Sequence, residues 1–150
     1  VVWADKPSES PPNVKFKNAG LASPAYKNKS ANMNVNQLKK FCANLPGANA
    51  RLLPDPYNIH VYSLYEKNFA YFKTSEPEKW RFSIKVSAER FLELTEVPGV
   101  KPARYRGRYH WITIVDVESF PAAYLRELVE WSYRHALESL SVTRRRALLA

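Results

Sequence analysis

Ile59-His60-Val61-Tyr62-Ser63-Leu64, Phe69-Ala70-Tyr71-Phe72 and Trp80-Arg81-Phe82-Ser83-Ile84-Lys85-Val86 follow one another closely in the chain. Each mixes β-branched and aromatic residues with polar ones at the period of two that sends alternate side chains to opposite faces of a strand. Glu66-Lys67-Asn68 reads as the turn between the first two. Ser75-Glu76-Pro77-Glu78-Lys79 reads as a polar connection whose proline interrupts pairing. Three antiparallel strands follow. In the last, Trp80, Phe82, Ile84 and Val86 share one face, and Arg81, Ser83 and Lys85 share the other.

Working outward, the segment before the strands is helical: Asn34 or Asn36 caps it, and Val35, Leu38, Phe41, Cys42 and Leu45 form one apolar stripe that Pro46-Gly47 ends. After the strands, Ser87 caps a short helix over 88–96, with Phe91, Leu92 and Thr95 on its inner face, and Val97-Pro98-Gly99-Val100 stops it. Residues 101–108 are polar and basic. Tyr109-His110-Trp111-Ile112-Thr113-Ile114-Val115 is a further strand, and Pro121 suits the first turn of a long helix. That helix buries Leu125, Leu128, Val129, Ser132, Ala136, Leu137 and Leu140, and turns Arg126, Glu127, Glu130, Arg134 and Glu138 outward. Ser141 caps a last short helix carrying Arg144-Arg145-Arg146. The order α-β-β-β-α-β(β)-α-α predicts an α+β fold: a single-domain antiparallel sheet with helices on one face.

The chain has 150 residues, 45% hydrophobic and 25% charged, enough for one core and not two. Residues 1–34 mix proline, serine, asparagine and lysine without period and read as a tail or leader; 35–150 read as the domain. The net charge is +9, of which the tail carries +3 (five lysines against Asp5 and Glu9), so the domain itself is basic. Such a charge favours polyanionic partners. No apolar run is long enough for a membrane span, and Asp5, Lys6 and Glu9 stand where a signal peptide would be apolar, so a cytoplasmic protein with no membrane partner is expected. One cysteine and three scattered histidines make neither a disulfide nor a spaced metal cluster, and no cofactor is expected.

Phe41-Cys42, Leu45-Pro46-Gly47-Ala48, Lys67-Asn68-Phe69-Ala70, Ile84-Lys85-Val86, Val97-Pro98-Gly99-Val100, His110-Trp111, and Leu128 with Ser132-Tyr133 resemble the MmcQ/YjbR family in order and spacing, over 35–149. The resemblance implies a small α+β fold, similar in shape to frataxin-like and secretion-chaperone-like folds, and a DNA-binding role; Lys85 matches the family's recurrent lysine. The chain departs from the pattern twice. Tyr65-Glu66-Lys67 replaces a Gly-Gly-Lys turn. Arg106-Gly107-Arg108-Tyr109 and Ile112-Thr113 flank His110-Trp111 where the family has Asn-Lys and Asn-Thr, so basic and apolar residues replace polar ones.

Lys101, Arg104, Arg106 and Arg108, interleaved with Tyr105, Tyr109 and Trp111 and free of acids over 101–111, form the densest basic segment. Cations for phosphates and flat rings for bases are what weakly sequence-specific nucleic-acid binding requires. Were the segment extended, Arg104, Arg106 and Arg108 would point to one side and Tyr105 and Tyr109 to the other. The plainer reading is a solvated basic loop leading into a core strand. Arg81 and Lys85 join the candidate site if their sheet face is open, and Trp111 reads first as a core residue. Cys42 reads as a buried hydrophobe. His110 is the one candidate for acid–base work, and reads first as a half-buried histidine bonded to backbone, since no nucleophile or carboxylate is spaced to join it. No catalytic motif occurs, and a non-enzymatic protein is expected. Two further readings remain: an adaptor or chaperone-like domain that holds a protein on an open sheet face or edge, and an enzyme centred on His110, which would need a hollow with converging polar groups. A monomer is favoured.

Overall fold

The computed structural model describes residues 32–150. Helix α1 (Val35–Ala43) starts on a reciprocal cap: the Asn34 side chain accepts from the Gln37 N–H, and the Gln37 side chain accepts from the Asn34 N–H. Strands β1 (Asn49–Leu53), β2 (Ile59–Leu64), β3 (Lys67–Lys73) and β4 (Phe82–Lys85) follow, then α2 (Ala88–Leu94), β5 (Val100–Pro102), β6 (Trp111–Ile114), α3 (Ala122–Glu138) and α4 (Val142–Leu149). The strands make one six-stranded antiparallel sheet in the order β1-β2-β3-β4-β6-β5. The α+β expectation holds, with one strand more than the sequence reading placed before β2.

The register produces two mainly apolar rows facing the helices: Leu52, His60, Phe72, Phe82, Ile114 and Val100, and beside it Ala50, Tyr62, Ala70, Ile84, Ile112 and Pro102. The buried members of these rows, Phe72, Phe82, Ile114 and Val100 with Tyr62, Ala70, Ile84 and Ile112, form one core with Leu38 and Cys42 of α1 and with Leu125, Leu128 and Val129 of α3. Burial pushes the Cys42 thiol far up, so it is an inert apolar group at neutral pH. Met33, read from the sequence as the end of the tail, is buried in this core, and the Asn32 amide donates to the Glu118 carbonyl at 2.8 Å. The rest of the expected tail lies outside the described residues.

Several local readings are corrected. The buried face of α2 is Arg90 and Leu94, with Phe91 packed beside them against the core as expected, whereas Leu92 is exposed and Thr95 only half-buried. Arg90 escapes an apolar-stripe search because it is charged, yet Glu127 of α3 meets its guanidinium at 2.8 Å. The third expected strand is shorter, since Trp80 adopts φ 73° and leaves the ladder, with the Lys39 amine 3.8 Å from its ring centre. The β2–β3 hairpin closes over Tyr65-Glu66 without glycine. Tyr65 takes the left-handed region at φ 53°, and Arg144 of α4 holds both turn residues, its guanidinium 4.5 Å from the Tyr65 ring centre and 2.7 Å from Glu66. Arg144 thus clasps a hairpin rather than extending a free basic patch.

Candidate nucleic-acid interface

The site gathers at one end of the sheet, where β3 and β6 begin, β4 ends, and the last turns of α3 pass over. On the face away from the core, the row Arg51, Val61, Tyr71, Ser83, Thr113 and Lys101 crosses all the strands. Ser83 and Thr113 are buried and share a hydrogen bond of 2.8 Å between their hydroxyls. The condition set for Arg81 and Lys85, an open sheet face, is therefore not met at its centre. Trp111 lies on this face, not in the helix-facing core. It is 6% exposed, its ring is 5.7 Å from that of Tyr71, and Arg106 lies over both.

Residues 103–110 are curled rather than extended, which corrects the alternating arrangement. Ala103 N donates to the Trp111 carbonyl at 2.9 Å and Trp111 N to the Arg106 carbonyl at 3.3 Å, so the two ends of the loop close on each other. A short 3₁₀ turn spans Gly107–Tyr109, and Tyr105 and His110 adopt φ 65° and 66°. The loop still separates charges from acids. Arg104, Arg106 and Arg108 are exposed, and among the described residues none has a carboxylate within ion-pair distance. Each guanidinium lies over an aromatic ring: Arg104 is 5.2 Å from the centre of Tyr105, Arg106 5.3 Å from Trp111, and Arg108 4.9 Å from Tyr109. Such stacking orders the long side chains before any ligand arrives.

The other candidates divide. Lys85 donates from Nζ to the Tyr109 carbonyl and so ties β4 to the loop; burial lowers its pKa. Lys101 and Arg81 stand apart and share Glu78, with N···O distances of 2.9 Å each. The hydrogen bonds from Lys101 and then Arg81 hold the Glu78 carboxyl below its usual 4.5. A depressed carboxylate keeps its pairs at neutral pH and loses them as pH falls through that lowered value.

Two adjoining hollows lie under the loop, with Lys85 and His135 on the wall common to both. The first, about 450 Å³, collects His110, Glu89, Trp131, Arg134 and Glu138 around that wall. The second, about 420 Å³, collects Lys67, Asn68, Arg106 and Trp111. Ser132, one turn before His135, seats α3: its hydroxyl donates to the Phe69 carbonyl at 2.6 Å and accepts from Lys85 N at 3.4 Å. The hollow that the His110 enzyme reading demanded thus exists, and His110 packs its ring 5.5 Å from Phe91 at its side. Burial and the nearby Lys85 lower the His135 pKa, which leaves the imidazole neutral at pH 7. Trp131, Arg134 and His135 were missed as site residues. Their signal was the Trp131–His135 pair, one helical turn apart on the polar face of α3, which stacks at 5.2 Å. Among the described residues no group of His, Cys, Asp and Glu could hold a metal ion, and no helix is long and apolar enough to cross a membrane.

The chain belongs to the YjbR family, whose model matches residues 43–135. Its fold is similar to that of the Deinococcus radiodurans protein DR2400, a DUF419-domain protein: the TM-score is 0.65 at 24% identity, over 80% of this chain and 91% of that one. It is also similar to a protein from Pseudomonas syringae, with a TM-score of 0.55 at 20% identity, over 69% of this chain and 99% of that one. No curated protein matches the chain.

Proposed function

We propose that this protein is a small, weakly sequence-specific DNA-binding module that acts as a monomer in the cytoplasm and grips phosphates through its arginine loop. The observation that carries the reading is the set of three exposed, ring-stacked guanidiniums without acidic partners. Arg104, Arg106 and Arg108 supply phosphate contacts, and Tyr105 and Tyr109, both more than half exposed, present faces to bases or sugars. The test is a fluorescence-anisotropy titration with duplex DNA, single-stranded DNA and heparin, each at two salt concentrations. Tighter binding to one nucleic-acid form than to heparin supports the reading; equal weak binding to all three overturns it. The adaptor reading then takes its place, favoured by the outer edge of β1, which pairs with no further strand among the described residues and where Leu52 is 61% exposed.

Lys101 and Arg81 enter this reading as held-back cations. Glu78→Gln releases both and is expected to tighten DNA binding, with a log–log salt slope steeper by about 0.9 for each phosphate recruited. Acidification below 4.5, toward the depressed Glu78 pKa, acts in the same direction. Titrations of the wild type and Glu78→Gln at neutral pH check it; weaker binding by the variant would show the Glu78 pairs positioning the interface instead.

A further inference from the structure

We infer that the hollow beneath Arg106 is a binding site for a phosphomonoester, the doubly charged group found at a 5′-phosphorylated strand end or on a free nucleotide. Three cations, Lys67, Lys85 and Arg106, converge on it from β3, β4 and the loop. The acid on its rim, Glu66, is already held by Arg144 at 2.7 Å, so the charge facing the interior is positive. Lys85 spends one ammonium hydrogen on the Tyr109 carbonyl and keeps two for a ligand. Asn68 and the neutral His135 add uncharged hydrogen-bonding groups, which suits an oxyanion that must be both neutralised and oriented.

The first hollow differs in kind. Glu89 and Glu138 there offset Lys85 and Arg134, leaving no net charge to hold a dianion. The hollow beneath Arg106 has about 420 Å³, far more than a phosphate needs, so the nucleoside to which the group is attached also fits at its mouth. Backbone phosphates carry one charge and two ester links. A terminal group carries up to two charges and presents three free oxygens, and only a terminal group can enter the hollow end-on. The inference rests on the nucleic-acid reading solely for the strand end as a source; the exposed loop arginines Arg104 and Arg108 are not part of the hollow.

The experiment compares four probes by anisotropy and competition: a short single strand with a 5′-phosphate, the same strand with a 5′-hydroxyl, adenosine monophosphate, and inorganic phosphate. The phosphorylated strand is expected to bind about tenfold more tightly, the gain of one well-placed charge-assisted contact. Lys67→Gln and, separately, Asn68→Asp should abolish that preference, while Arg104→Ala with Arg108→Ala should weaken both strands alike and preserve it. Thermal melts of each variant separate lost sites from lost folds. Equal binding of the two strands, with no competition from either free phosphate, overturns the inference and leaves the loop reading standing. Binding of adenosine monophosphate with no binding of either strand supports the inference and removes the nucleic-acid reading.

Discussion

Simultaneous replacement of Arg104, Arg106 and Arg108 by alanine should flatten the log–log salt dependence of duplex binding by about 2.7, since each neutralised phosphate contributes about 0.9. Between 50 and 200 mM salt, that difference makes the wild type lose about 40-fold more affinity than the variant. The three guanidiniums are already stacked on Tyr105, Trp111 and Tyr109, so a small entropy cost remains for binding to meet. Arg106 also covers Trp111, and its loss uncovers that ring at a stability cost of about 1 kcal/mol. Arg104→Ala with Arg108→Ala avoids this complication and should reduce the slope by about 1.8. The measurement is anisotropy over a salt series, with a melt for each variant. An unchanged slope would falsify the loop as the phosphate grip.

Glu127→Ala should destabilise the fold by about 3 kcal/mol, far more than an exposed ion pair is worth. Its partner Arg90 is 3% exposed, faces the Tyr124 ring at 5.6 Å, and among the described residues has no hydrogen-bond partner at Nε or Nη1. Removing the carboxylate leaves a buried guanidinium with no counter-charge. Removing the cation instead is cheap: Arg90→Met fills the same space with apolar atoms and should change stability by about 1 kcal/mol or less, in either direction. Urea denaturation of the two variants, read against the wild type, tests the asymmetry. A loss for Glu127→Ala no larger than that for Arg90→Met would mean the guanidinium is hydrated in the folded state.

The sheet and the long helix were legible because burial on one side imposes a period that the residues must obey. Phe82, Ile84 and Ile112, Ile114 follow it strictly. Strand β1 escaped because it is an edge: Asn49 to Leu52 are all exposed, so no alternation is selected. The loop residues could be picked out as a basic, aromatic group, but their geometry could not. Arginines two apart read alike in a strand and in a curl, and only the bonds to Trp111 decide between them. The hollows were illegible for a different reason. His110 and His135 meet through the β4–β6 register and the seat of Ser132 on Phe69, relations between distant segments that no local spacing encodes.

Tyr105 combines two properties that pull apart: among the described residues it is the most exposed of the large apolar side chains, and its backbone sits at φ 65°, where a side chain costs about 1 kcal/mol. Asparagine tolerates that conformation better. Tyr105→Asn is therefore expected to raise the melting temperature by a few degrees, on the order of 1 kcal/mol, while weakening DNA binding. On the proposed reading, selection for robustness alone would discard this tyrosine, and the loop would be where durability is traded for contact.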